Sequence, residues 1–142
     1  MDFDRKASPA YLIAQLAKEF SRCLLDRSAD LGFSPGQFPV LVELWQENGL
    51  TQKQLLERID VEQATMANTL KRMQRDGLIE RQPHPGDRRA QCIFLTEKAI
   101  GLKQQAFAAI EDVDSRIFAG FRRFEKELML EFIRQALENA RG

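Results

Sequence analysis

The sequence contains few of the residues that build covalent or metal-stabilised folds. Its 142 residues include two cysteines, Cys23 and Cys92, and a single histidine, His84. Two cysteines cannot form a disulfide scaffold, and without a cluster of cysteine and histidine there is no ligand set for zinc. We therefore expect no bound metal, and nothing in the sequence indicates any other cofactor.

Long hydrophobic runs are also missing. No stretch approaches the length of about 18 apolar residues that a membrane-spanning helix needs, so we expect no membrane contact. The first residues, MDFDRKASP, are charged and no apolar segment follows them, so no secretory signal is predicted. With 44% hydrophobic and 30% charged residues, the composition is typical of one globular domain, which we expect in the cytoplasm.

The chain has no excess of charge of either sign. Its 21 lysines and arginines equal its 21 aspartates and glutamates, so the formal net charge is zero. Nucleic acid favours basic proteins, and a zero sum taken alone argues against that partner. However, the sum conceals a local excess, because residues 68–91 contain six lysines and arginines against three acidic residues.

The motifs of common enzyme classes are not present. Gly86 and Gly101 are isolated, so no phosphate-binding glycine loop is predicted. There is no nucleophile elbow, and His84 lies in a proline-flanked turn without the partners of a catalytic triad. Asp112 and Asp114 fall on a helix rich in both charges, where we interpret them as solvated surface. We predict that the protein is not an enzyme.

Capping residues predict two helices in the first third of the chain. Ser8, followed by a proline, marks the start of a long amphipathic helix that ends near Gly32. Ser34 and Gln37 have the spacing of a second cap with its capping-box partner. Pro39 would crowd a preceding carbonyl in the first turn, so we expect this second helix to begin irregularly or late.

A pair of short helices and a hairpin follow. Thr51 opens a capping box and a third helix, and residues 62–75 form a fourth helix after a tight break. This is the pattern of a helix-turn-helix. Residues 78–82 and 89–95 predict two strands, joined by turn residues at 83–87.

Two further helices complete the predicted order. Thr96 caps a helix that we expect to run unbroken over residues 96–119, about 35 Å long. The last helix follows Gly120 without a Ser, Thr or Asp cap, so its start is not fixed by the pattern. The first and the two last helices have more apolar surface than one small core can cover, which predicts a homodimer; a self-contained helical bundle is the alternative.

The fourth predicted helix has an apolar and a polar face. Met66, Leu70 and Met73 recur at helical spacing and mark the buried side. The opposite side is small and polar at its start and basic towards its end, as a helix in the major groove of DNA requires; a solvated surface is the alternative. We predict contacts to bases from Gln63, Thr65 and Asn68, contacts to phosphates from Lys71, Arg72 and Arg75, and close approach at Ala64 and Ala67.

The hairpin carries a second group of basic residues. Arg81, His84, Arg88 and Arg89 surround its turn. A wing with arginine near its tip can place a guanidinium in a narrow minor groove, where the negative potential is enhanced. We expect Asp87, two residues before Arg89, to pair with that guanidinium and orient it. The alternative is an ordinary salt bridge within a loop, which contributes little.

These residues give the region 50–96 a resemblance to a known family. It resembles the winged helix-turn-helix of the multiple-antibiotic-resistance regulator (MarR) family, and the order of helices on both sides is similar too. The stretches that carry the resemblance are Asp76-Gly77-Leu78-Ile79 with Arg81, Asp87-Arg88-Arg89 in the wing, and Leu95-Thr96 at the start of the next helix.

The resemblance implies a mainly α fold with a small β-hairpin wing. Residues 1–33 are then an N-terminal dimerisation helix, residues 34–96 the winged helix-turn-helix domain, and residues 97–142 the C-terminal dimerisation helices. The three parts are expected to form one structural unit. The family's minor-groove arginine falls on Arg89, and its partner aspartate falls on Asp87.

By the same resemblance, the protein is a sequence-specific regulator of transcription. It is expected to bind double-stranded DNA as a homodimer, at a near-palindromic operator, as a repressor, with residues 62–75 as its recognition helix. The alternative is a winged helix that serves as a protein-interaction module without binding DNA. The basic wing and the basic face of the fourth helix favour DNA, because a docking module has little need of them.

The resemblance also bears on how the protein is regulated. Many members bind small aromatic or amphipathic acids in a cleft beneath the dimer helices, and Tyr11, Phe38 and Trp45 are the candidates to line it; simple core packing is the alternative. Members that sense peroxides carry a cysteine early in the first helix, where this sequence has Ala10. Cys23 is interpreted as a packed thiol rather than a redox sensor.

Overall fold

The computed structural model describes residues 2–142, and in that range the chain is mainly α-helical with one small antiparallel sheet. Among these residues no helix combines the length and hydrophobicity needed to cross a membrane. The elements are α1 (Pro9–Ser28), α2 (Phe38–Gln46), β1 (Leu50–Thr51), α3 (Gln52–Arg58), α4 (Gln63–Arg75), β2 (Ile79–His84), β3 (Asp87–Leu95), α5 (Glu97–Gly101), α6 (Lys103–Ile117) and α7 (Arg123–Arg141).

The predicted start and end of the first helix are confirmed. The Ser8 hydroxyl accepts a hydrogen bond from the backbone N–H of Tyr11 at 3.3 Å, and Pro9 occupies the first helical position. A short 3₁₀ turn continues α1 to Gly32, whose φ of +88° lies in the left-handed region. Glycine enters that region without steric penalty, which makes it a suitable helix terminator.

The late start of the second helix is also confirmed. Residues 35–37 form a turn, and α2 begins at Phe38 with Pro39 in its first turn, where no N–H partner is required. Ser34 does not cap the helix with its side chain. Instead, its backbone N–H donates to Gln37 Oε1 at 2.9 Å, which is one half of the predicted capping box.

The sheet has the strand order β1-β3-β2. The predicted hairpin is present but longer, because β2 extends to His84 and β3 begins at Asp87, and these two residues pair. The prediction that residues 83–87 are all turn is therefore wrong, since only two residues connect the strands. Strand β1 was missed because two residues carry no alternating pattern; its Leu50 pairs with Ile93.

The predicted unbroken helix over residues 96–119 is wrong. It divides into α5 and α6 at Leu102, whose N–H donates to the carbonyl of Ala99 with 3₁₀ spacing. Gly101, a poor helix former, immediately precedes the division. The uncapped start of α7 also has an explanation, because the Glu125 carboxylate accepts the backbone N–H of Arg122 at 2.8 Å.

The main hydrophobic core lies within the winged helix-turn-helix region. The apolar side of α4 is fully buried in it, as the helical spacing predicts, so the opposite side of α4 faces outward. By contrast, α7 contributes no buried side chain. The largest fully buried side chains are Leu41, Leu44, Leu55, Met66, Leu70, Met73, Leu78, Ile93, Val40 and Val113.

Candidate nucleic-acid interface

The outward face of α4 presents the predicted polar and basic side chains together. Its N-cap, Glu62, makes no hydrogen bond to the first turn, so the first backbone N–H groups of α4 are not capped by it. Such groups favour negative charge through the helix dipole. The predicted residues on this face are all exposed: Gln63, Ala64, Thr65, Ala67, Asn68, Lys71, Arg72 and Arg75.

The C-terminal half of this face forms a shallow basic recess. It has a volume of about 390 Å³ and is lined by Asn68, Lys71, Arg72 and Arg75, without an acidic side chain. The Nε of Arg75 donates to Asp76 Oδ1 at 3.1 Å. In the described part of the chain, Lys71 and Arg72 take part in no ion pair. They are therefore available to an anionic partner such as phosphate.

The wing, formed by β2, β3 and the Pro85-Gly86 turn, presents Arg88 and Arg89 to solvent. His84 is half-buried beside the turn, and its Nδ1 accepts the backbone N–H of Gly86 at 2.9 Å. That contact leaves Nε2 as the nitrogen that can donate outward. His84 thus stabilises the turn from inside and can also donate one hydrogen bond to a partner.

The predicted pairing of Asp87 with the Arg89 guanidinium is wrong. Asp87 Oδ1 instead accepts the backbone N–H of Arg89 at 2.9 Å. A carboxylate next to a tight turn reaches the backbone two residues on more readily than a long, mobile side chain. No ion pair over residues 2–142 involves Arg89, so its guanidinium remains free.

A wider groove between the wing and the start of α3 was not predicted. Its volume is about 730 Å³, and it adds Gln52, Lys53 and Gln54 to the polar surface next to Arg88 and Arg89. Pairing of β1 with β3 brings the first turn of α3 against the wing. The capping box at Thr51 located that turn in the sequence, but without β1 nothing placed it beside the wing.

Two of the three candidate effector residues are brought together and one is not. The ring centroids of Phe38 and Trp45 lie 6.3 Å apart, and those of Trp45 and Phe107 lie 5.4 Å apart. The indole Nε1 of Trp45 donates to the carbonyl of Ala99 at 3.0 Å, so its polar atom is already satisfied. The aromatic partner of Tyr11 is Phe3, at 6.3 Å.

The cysteines and acidic residues form no metal site in this structure. Cys23 is half-buried on α1 and Cys92 is buried on β3, consistent with packed thiols. Over the described residues, no three His, Cys, Asp or Glu side chains are grouped so that they could hold a metal ion.

An open apolar groove lies between α1 and α7, and it shares no lining residue with the basic recess. It has a volume of about 750 Å³, and its lining is almost entirely hydrophobic. Ile13 and Phe132, on opposite sides, are each 61% exposed. The other lining residues are Leu16, Phe124, Glu125, Leu128, Met129, Ile133, Ala136 and Leu137.

The helix pair α3–α4, followed by the two-stranded wing that packs against it, defines a winged helix-turn-helix protein. Residues 33–90 match the model of the MarR family, which confirms the resemblance drawn from the sequence.

A curated relative and two solved structures are similar to the chain. This chain is 32% identical over 93 residues to the "HTH-type transcriptional regulator TtmR" of Methylorubrum extorquens (strain PA1). The match covers 66% of this chain and 48% of TtmR. The chain therefore spans about half the length of that relative.

Both structures are similar over nearly the whole fold. The structure of PcaV from Streptomyces coelicolor, in complex with its natural ligand, matches this chain with a TM-score of 0.84 and 22% identity. The match covers 99% of this chain and 99% of PcaV. A putative MarR-family regulator from Listeria monocytogenes, complexed with 26mer DNA, has a TM-score of 0.82 at 20% identity over 93% and 88% of the two chains. At these identities the likeness establishes the fold.

Proposed function

We propose that this protein regulates transcription by binding double-stranded DNA as a homodimer. The observation that carries the proposal is the exposed face of α4, polar at its start and basic at its end, together with the exposed arginines of the wing. Two relatives support it: TtmR is named a transcriptional regulator, and the Listeria monocytogenes protein is complexed with DNA.

In this proposal α4 enters the major groove. Its first turns carry short side chains, Ala64 and Ala67, that let the helix approach the bases. Gln63, Thr65 and Asn68 hydrogen-bond base edges there. The cations at the end of the helix contact phosphates, which fix the position of the protein on the duplex; they are Lys71, Arg72 and Arg75.

The wing makes the second set of contacts in the minor groove. The free guanidinium of Arg89 enters that groove, where the negative potential favours arginine. Arg88 and the outward nitrogen of His84 contact the adjacent backbone. Asp87 takes part indirectly, because its carboxylate holds the backbone of Arg89.

A second copy of the chain covers the groove between α1 and α7. An open apolar groove of this size on an exposed helix is costly in water, and α7 buries nothing within its own chain. A dimer in which two copies of this surface pair about a two-fold axis presents two copies of α4 to the DNA. The operator is then near-palindromic, with half-sites about 34 Å apart.

We further propose that the protein is a repressor released by a small aromatic or amphipathic effector. PcaV, a structural neighbour, was crystallised with its natural ligand. In this chain the ring of Trp45 contacts the ring of Phe38 on α2 and the ring of Phe107 on α6, so these aromatic contacts connect α2 to α6. A ligand that displaced these rings would alter the distance between the two copies of α4. Such a ligand acts only if it binds the two arrangements with different affinities.

The proposal is tested by selecting bound fragments from genomic DNA and then measuring affinity by fluorescence anisotropy. Arg89→Ala is expected to lower affinity for the selected site by at least about tenfold while the protein remains a dimer. Arg22→Ala, which removes an exposed arginine on α1, is the matched control. If no duplex binds at tens of micromolar protein in low salt, the proposal is wrong and a protein-interaction module is favoured.

A further inference from the structure

A buried glutamine connects the turn before α2 to the end of α4. Gln37 is only 4% exposed, and both ends of its side-chain amide are used. Its Oε1 accepts the backbone N–H of Ser34, and its Nε2 donates to Asp76 Oδ2 at 3.0 Å. Asp76 is the residue that ends α4. We call this contact the Gln37–Asp76 bridge.

Asp76 is also held from other directions. Its carboxylate accepts Arg75 Nε at 3.1 Å, and its backbone carbonyl accepts Lys98 Nζ from α5 at 3.1 Å. The hydrogen bonds from Gln37 and then Arg75 lower the pKa of the Asp76 carboxyl below its ordinary value. The acceptor in the bridge is therefore an ionised carboxylate, which makes the hydrogen bond stronger than one between neutral groups.

The bridge adds a directional restraint to the apolar contacts that hold α4. Met66, Leu70 and Met73 attach α4 through apolar contacts, which have no strict directional requirement. Beside the bridge, a recess of about 520 Å³ lies between the α1–α2 connection and the two arginines at the end of α4. At this edge the hydrogen bond from Gln37 is the directional contact that reaches the Asp76 side chain from the turn before α2. It acts together with the bonds that Lys98 and Thr96 donate to the carbonyls of Asp76 and Gly77.

We propose that Gln37 is a positioning residue for DNA recognition. Through Asp76 it fixes the orientation of α4 and so determines discrimination between DNA sequences, with little effect on phosphate binding. Base-edge hydrogen bonds tolerate only small displacements of the helix, whereas long cations follow phosphates over a wider range. The inference rests on the proposed DNA-binding function.

The test uses the full-length protein, its selected operator and a random duplex of equal length. Gln37→Glu keeps an acceptor for Ser34 but places two carboxylates against each other. We expect affinity for the operator to fall by about tenfold, and affinity for the random duplex, which the added negative charge also weakens, to fall by no more than about threefold. Asp76→Asn keeps a neutral acceptor oxygen for Gln37, so we expect a smaller loss of operator affinity than in Gln37→Glu, about twofold.

The double variant, Gln37→Glu with Asp76→Asn, provides the rescue. The new amide donates to the new carboxylate, so the hydrogen bond returns with its direction reversed, and operator affinity is expected to recover to within about twofold of the parent. A purely structural role would change both affinities together. If Gln37→Glu does not fold, Asp76→Ala, at the partly exposed end of the bridge, is measured in the same way.

The outcomes distinguish a failure of this inference from a failure of the proposed DNA-binding function on which it rests. If the parent protein does not prefer any selected site over the random duplex, the proposed function fails. If the parent discriminates and the single variant discriminates equally well, the inference about Gln37 is overturned and the function stands. Equal losses on both duplexes, or no recovery in the double variant, also overturn it.

Discussion

Asp87 Oδ1 accepts the backbone N–H of Arg89 at 2.9 Å, and so the acid shapes the backbone of the wing and leaves the guanidinium free. The same turn is held by His84, whose ring nitrogen accepts the N–H of Gly86. Two local contacts therefore fix the tip of the wing. In the proposed complex this is the part of the protein that must fit the minor groove.

We predict that Asp87→Ala binds its operator about fivefold more weakly than Asp87→Asn. Both variants remove the same negative charge, but only the asparagine retains an oxygen that can accept the Arg89 N–H. The difference between them therefore reports the hydrogen bond and not the charge. Anisotropy titrations of the two variants on one duplex measure it, and equal affinities would show that the contact does not order the wing.

Lys71→Ala is expected to reduce the salt dependence of DNA binding. Each phosphate contact adds about one unit to the slope of log affinity against log salt concentration, so the slope should decrease by about one. Sequence preference should not change, because phosphates carry no base information. Lys18→Ala on α1 serves as the control, and an unchanged slope for Lys71→Ala would place its ammonium group away from the phosphates.

The groove between α1 and α7 gives a prediction on assembly. Phe132→Glu introduces a charge on a side chain that is 61% exposed in the single chain, so the domain should still fold. Burial of that charge in a dimer is unfavourable, and the dimer dissociation constant should increase at least about 100-fold. Sedimentation velocity measures it against Glu131→Gln on the same helix. A variant that remained dimeric would exclude this groove as the interface.

Two glycines allow a matched test of stability. Gly49 has a φ of +84°, and a Cβ added there would lie 2.9 Å from Cε1 of Phe94. Gly49→Ala should lower the free energy of unfolding by about 2 kcal/mol. Gly101 ends α5 with no atom near an added Cβ, so Gly101→Ala should raise that free energy by about 0.5 kcal/mol. Urea denaturation followed by the fluorescence of Trp45 measures both, and equal effects would contradict the argument.

The parts of the fold that the sequence predicted depend on local interactions. The cap at Ser8 and the capping box at Thr51 each join residues three positions apart. The apolar series Met66, Leu70 and Met73 needs only the helical period. The same period placed the polar and basic face of α4 on the outside, so most of the candidate interface could be predicted before its structure was known.

Several features that were not predicted depend on contacts between distant parts of the chain. Strand β1 is too short to show a pattern and is defined only by its pairing with β3. The groove beside α3 follows from that pairing. Gln37 and Asp76 lie 39 positions apart, and no property of either residue alone indicates the other. The contact made by Asp87 is local, but Arg89 offers both its backbone N–H and its guanidinium as donors, and the sequence does not select between them.

The pairing of Leu50 with Ile93 has a kinetic consequence for the proposed complex. It attaches the wing to the residues that lead directly into α3, so the wing and the helix pair cannot shift independently by more than this short strand allows. Contacts in the two grooves of DNA should therefore form and break in concert. Each half of the dimer is expected to leave its half-site in a single step, without a long-lived state held by the wing alone.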